Sequence, residues 1–129
     1  MEAIANEEKI PATDREFLEE KGYDYEIVPW NEQLLLILKD FVFPPAYTPL
    51  KSDLLIVLPA GYPNASVDMF RTNPDVKLAN GEWPKAAAPH DSWNNKSWQA
   101  WSRHIAWRVG KDSMRTFIMA IKTELEKGI

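Results

Sequence analysis

Two runs of five aliphatic residues, Leu34-Leu35-Leu36-Ile37-Leu38 and Leu54-Leu55-Ile56-Val57-Leu58, limit what this chain can fold into. Neither run has the polar positions of an amphipathic helix. The second is closed by Asp53 and Pro59, so length favours a buried strand. Prolines at 44, 45 and 49 stop any ladder or helix from continuing between the runs and place a loop over 43–51. Before the first run, Tyr25, Ile27 and Pro29 alternate with Glu26 and Val28, and the turn-prone Trp30-Asn31-Glu32 joins two antiparallel strands. After the second run, Pro59-Ala60-Gly61-Tyr62-Pro63 makes a rigid turn, and the alternation at 67–71 predicts a fourth strand.

Helical signals flank this strand-rich centre. Thr13 and Glu16 have capping-box spacing and Gly22 can close a helix, which predicts one over 13–21. Met114, Phe117, Ile118, Ile121 and Leu125 form one apolar stripe, which predicts a second over 112–127 with Asp112 or Ser113 as its cap. Between strand four and this helix the periodicity is lost over 73–111, where five of the six tryptophans lie. Trp98, Trp101 and Ile105 fall at helical spacing, so a turn or two of helix is expected over 96–105. The order is helix, four-stranded antiparallel meander, long tryptophan-rich loop, helix: an α+β fold with the helices on one face of the sheet.

With 129 residues the chain suits one domain over 1–129, its first twelve residues read as a flexible segment. It contains no cysteine, which excludes disulfides, thiolate metal sites and a thiol nucleophile. Residues 1–32 hold ten acids and three bases, and the overall charge is −4, which disfavours nucleic acid as a partner. No apolar stretch is long enough for a membrane span and the N-terminus lacks a signal-peptide pattern, so a cytoplasmic protein with no membrane partner is expected.

The layout, together with Leu58-Pro59-Ala60-Gly61-Tyr62-Pro63, Asp68-Met69-Phe70, Trp98-Gln99-Ala100-Trp101-Ser102-Arg103-His104 and Trp107-Arg108-Val109-Gly110-Lys111-Asp112-Ser113, resembles the prokaryotic E2 family E of the E2/UBC (ubiquitin-conjugating enzyme-like) superfamily. That resemblance covers about 13–127. It implies a bacterial ubiquitin-like conjugation system, with a ubiquitin-like protein (often in tandem units), an E1-like adenylating enzyme and a JAB-type metallopeptidase as partners. It also implies a modifier carried as a thioester on a cysteine beyond the fourth strand, and this chain departs from the pattern there. A faint His-Pro-Asn-like echo at Thr72-Asn73-Pro74 puts the missing cysteine near Trp83-Pro84, whereas counting back from Trp107 puts it near Trp98-Gln99. A non-catalytic E2-like binding protein, a pseudoenzyme, is therefore expected. The alternative is a conjugating enzyme that is a Cys-substituted variant or uses another acceptor such as Ser102, and a Ser/His hydrolase is the third reading.

No cofactor is expected. The two histidines lie fourteen residues apart without a third ligand at usable spacing, so no metal is expected either. The catalytic candidates are His104 as a general base near Ser102, and His90 with Asp91 as an acid/base pair. Each has a structural alternative: a histidine bonded to loop backbone for His104, and a turn histidine beside an Asx aspartate for His90. Trp98, Trp101, Arg103, Arg108 and Tyr62 are candidate partner-binding residues, because tryptophan and arginine dominate interaction hot spots. Core packing is the alternative use of the tryptophans. Arg103, Arg108, Lys111 and Arg115 form a basic set that suits an acidic partner or residues 1–32 themselves.

Overall fold

The two aliphatic runs lie side by side at the centre of an antiparallel sheet in the computed structural model of the chain, which describes residues 9–129. The elements are α1 (Ala12–Glu20), β1 (Tyr25–Trp30), β2 (Gln33–Val42), β3 (Tyr47–Thr48), β4 (Lys51–Leu58), β5 (Phe70–Asn73), β6 (Lys77–Leu78), β7 (His90–Trp93), β8 (Lys96–Trp101) and α2 (Met114–Glu126). Six strands make one sheet in the order β1-β2-β4-β5-β8-β7, and β3 pairs with β6 apart from it. Asn31 and Glu32, with φ of 47° and 65°, make the tight turn between β1 and β2.

Strand alternation sends Leu36, Leu38, Leu54 and Ile56 to one face, where they share a core with Phe17 and Leu18 of α1 and Phe117, Ile118, Ile121 and Leu125 of α2. Leu35, Ile37, Leu55 and Trp98 point the other way and form a second, smaller cluster with Val28, Trp30, Val57 and Trp93, to which no helix contributes. Both helices thus lie on one face, as the sequence implies, and among the described residues the other is an open sheet face. No helix among those residues is long and apolar enough to cross a membrane.

Three expectations need correction. The helix predicted over 96–105 is absent, and β7 and β8 form a hairpin there. Its turn is Asn94-Asn95, both at positive φ (52° and 59°), a conformation asparagine tolerates better than most residues. In a strand, residues three apart face opposite ways, so Trp98 joins the open-face cluster and Trp101 the helix-side core. The fourth meander strand is β5, displaced toward the C-terminus from 67–71, although Val67 is buried just ahead of it. The Thr13 capping box does not form: Pro11 occupies the N-cap position of α1 with no side-chain cap. Of the first twelve residues, 1–8 lie outside the described residues, while Ile10 is 3% exposed and packs in the main core.

Asp14 has a different task. Its side chain, 2% exposed, accepts from the Met114 amide at 3.1 Å and from the Tyr62 hydroxyl at 2.5 Å, so one carboxylate ties α1 to the first residue of α2 and to the Tyr62-Pro63 turn. A carboxylate at a helix N-terminus is favoured by the unpaired amides and the positive end of the helix dipole. Burial, then the Asp14 carboxylate, pushes the Tyr62 phenol well above its ordinary 10.0, so it remains a donor. Beside α2, the Ser113 amide donates to Thr116 Oγ1 at 2.9 Å.

Candidate functional site

In the segment beyond β5, where the resemblance would place the residue that carries a modifier, one buried side chain makes four of the anchoring hydrogen bonds. Gln99, on β8, is 0% exposed. Its Oε1 accepts from Val76 N (2.7 Å) and Thr72 Oγ1 (2.8 Å), and its Nε2 donates to Val76 O (2.8 Å) and Ala87 O (2.9 Å). Thr72 Oγ1 in turn accepts from Trp101 Nε1 at 2.9 Å. A primary amide has two donors and two acceptor lone pairs, and here all four are used. Both ends of the loop from Val76 to Ala87 are fastened to the sheet this way. The sequence reading overlooked Gln99 because a lone glutamine has no motif. Its place two residues before Trp101 in a strand was the only available signal.

This geometry separates the two places where the family's cysteine could stand. Trp98 and Gln99 are buried at 1% and 0% exposure, so neither position presents a group to a modifier. Trp83 is on the loop and 40% exposed. Lys77 Nζ lies 4.6 Å above its ring centroid, and His90 meets it edge-on at 5.7 Å. His90 Nε2 pairs with Asp75 Oδ1 at 2.8 Å, while Asp91, on the opposite face of β7, accepts from Arg71 Nε at 3.0 Å. His90 and Asp91 therefore do not orient one another, because adjacent strand residues point to opposite sides of a sheet.

His104 has a carboxylate partner rather than the loop backbone: its Nδ1 stands 3.0 Å from both oxygens of Asp68. The pair is largely exposed, at 73% and 55%, where such contacts contribute little stability. The Ser102 amide donates to Ala86 O at 2.8 Å, and no hydrogen bond between described residues joins Ser102 to His104. Among the described residues, His104 is thus held by Asp68 and not by that hydroxyl.

The partner-binding candidates divide by burial. Trp98, Trp101 and Arg103 (5% exposed) are interior, so the packing alternative describes the tryptophans, and none of the three offers surface to a partner. Trp101 stacks on Phe70 with centroids 5.2 Å apart. The Tyr62 hydroxyl is committed to Asp14. Arg108 is exposed and holds Asp112 at 3.1 Å. The basic set is dispersed among separate acids: Arg103 faces Glu124, Arg108 holds Asp112, and Arg115 meets Glu20 at 3.6 Å while lying 4.8 Å over the Phe17 ring. Among the described residues no group of three or more metal-ligating side chains occurs.

Hydrogen bonds from the Arg108 side chain and backbone hold the Asp112 carboxyl at about 2, below its ordinary 3.8. Because the folded value is the lower one, the interaction is fully present above the unfolded value and is lost as pH falls through about 2. A carboxyl titration followed by NMR should give Asp112 a midpoint near 2 that returns toward 3.8 in Arg108→Ala. An unshifted Asp112 in the unsubstituted chain would contradict the pairing.

An N-terminal helix, an antiparallel sheet anchoring an irregular segment beyond its fourth meander strand, and a C-terminal helix are the parts of an E2-like α+β module. The chain belongs to the prokaryotic E2 family E, whose family model matches residues 10–128. No curated protein and no solved structure gives a significant match.

Proposed function

We propose that the chain is a non-catalytic E2-like module of a bacterial ubiquitin-like conjugation system, working in the cytoplasm. It binds a ubiquitin-like protein, single or in tandem, or the E1-like or JAB-type partners of that protein. The observation that carries this reading is the absence of cysteine from a chain of an E2-like family. Thioester transfer requires a thiolate, and no other side chain forms that bond.

The open sheet face supports a docking role. Val28, Trp30, Val57 and Trp93 remain half-buried over the fully covered Leu35, Ile37, Leu55 and Trp98. Arg71, stacked 4.8 Å over Trp93 and paired with Asp91, edges this apolar centre. A cleft of about 270 Å³, lined in part by Gln33, Val57, Met69 and Trp93, opens beside it. An apolar centre with a charged margin suits the apolar patch of a small folded partner.

Val57→Asp should weaken binding of the ubiquitin-like protein by about tenfold or more, which is about 1.4 kcal/mol, with an unchanged circular dichroism spectrum. Titration calorimetry reads the affinity and cross-linking reads the surface. Cross-links confined to the loop from Val76 to Ala87, with Val57→Asp binding normally, would move the interface to that loop.

A further inference from the structure

Strands β1 and β7 border the six-stranded sheet, and they end it differently. In a hairpin closed by a two-residue turn, the residues flanking the turn exchange main-chain hydrogen bonds, and every second pair along the ladder does the same. In the β1–β2 hairpin these pairs are Trp30 with Gln33 and Val28 with Leu35, so Pro29 faces outward, where its missing N–H removes a donor from the edge. In the β7–β8 hairpin they are Trp93 with Lys96 and Asp91 with Trp98, and the Ala100 amide continues the ladder by donating to Pro89 O at 2.8 Å. His90 and Ser92 therefore turn their amides and carbonyls away from β8. Ser97, opposite Ser92, has the matching parity: its carbonyl accepts from Asn73 Nδ2 of β5 at 2.7 Å, on the side away from β7. Among the described residues no hydrogen bond reaches the outward main chain of His90 or Ser92, and both residues are exposed.

We infer that the edge of β7 is a docking site for an extended, uncharged segment of another protein, apolar on the face it shares with Trp93, which joins the sheet as a further strand. Antiparallel addition satisfies both amides and both carbonyls of His90 and Ser92 together. The charges along this edge are already paired within the protein, Asp91 with Arg71 at 3.0 Å and His90 with Asp75 at 2.8 Å, so a charged side chain finds no free partner there. Apolar side chains do find one: Trp93 is half-buried on the open face, so a strand added at the edge extends its cover. A second copy of the chain fits badly. Two-fold pairing that uses all four main-chain groups centres on Asp91 and sets that carboxylate opposite its own copy, and like charges directly opposite are destabilising. Centring on His90 or on Ser92 instead places the other residue beyond the end of the copy's strand. The inference rests on the hairpin geometry and is independent of which partner the open face binds.

Hydrogen exchange tests the edge, and a synthetic peptide tests its occupant. In the chain alone the amides of His90 and Ser92 should exchange about tenfold or more faster than those of Asp91 and Trp93. Equal protection of the four would overturn the free edge. The probe is a fluorescein-labelled, amidated hexapeptide alternating threonine and valine, titrated with the chain and read by anisotropy. It should bind saturably and slow exchange at His90 and Ser92. The same peptide with every amide N-methylated, or with lysine in place of valine, should bind about tenfold more weakly. Ser92→Pro removes an outward donor, as Pro29 does in β1, and spares the β7–β8 bonds, so it should weaken the peptide to a similar degree with an unchanged circular dichroism spectrum. If that variant does not fold, the N-methylated peptide reads the same hydrogen bonds from the other side. No saturable binding, or binding that N-methylation leaves unchanged, would overturn strand addition, and equal binding of the lysine peptide would overturn the uncharged occupant. Sedimentation of the chain alone should give a monomer. A dimer lost in Ser92→Pro would overturn the choice of occupant and give the edge to a second copy.

Discussion

Gln99→Leu should destabilise the protein by about 4 kcal/mol, because three backbone groups and one hydroxyl lose buried partners at once. Leucine fills a similar volume, so the cost comes from Val76 N, Val76 O, Ala87 O and Thr72 Oγ1 rather than from a cavity. Such a loss is a large share of the roughly 5–15 kcal/mol that holds a domain folded. Gln99→Glu should cost at least as much: a carboxylate keeps the two acceptor roles but turns negative charge toward the Val76 and Ala87 carbonyls. Denaturant midpoints give the size of the effect. Exchange at Val76 shows where it acts, rising well before β2 and β4 lose protection. A neutral Gln99→Leu would mean that other contacts hold the loop.

Asp14→Ala should cost about 3 kcal/mol, or about 10 °C in the thermal midpoint, since it strips an acceptor from both the Met114 amide and the Tyr62 hydroxyl. Asp14→Asn should cost less, because the amide retains an oxygen for Met114 and can reorganise with the phenol. Equal losses for the two substitutions would point to packing rather than to these hydrogen bonds. Thr13→Ala, by contrast, should be close to neutral, since α1 has no side-chain cap.

What was readable from the sequence was whatever repeats. The aliphatic runs gave β2 and β4, and the stripe from Met114 to Leu125 gave α2, because periodic burial leaves a periodic pattern. The β7–β8 hairpin was hidden for a physical reason. Trp98 and Trp101 are both buried, on opposite faces, so their spacing imitates a helix whose two tryptophans share a side. The pair Asn94-Asn95 was the overlooked sign of a two-residue turn. The capping box misled because a Thr-x-x-Glu pattern does not reveal that the neighbouring Asp14 is drawn to another helix 100 residues away. Long-range polar anchors such as Gln99 and Arg103 join segments distant in sequence, and local pattern does not reveal which groups they bind.

The central proposal is that an E2-like fold is used here for binding without thioester chemistry. The most direct measurement is to incubate the purified chain with the E1-like enzyme, the ubiquitin-like protein and ATP from its own organism, and to analyse the mixture by intact mass without reductant. The unmodified mass is the predicted result, with a complex that survives only under native conditions. A covalent adduct released by thiol or hydroxylamine would contradict the proposal, and its loss in Ser102→Ala would identify the acceptor.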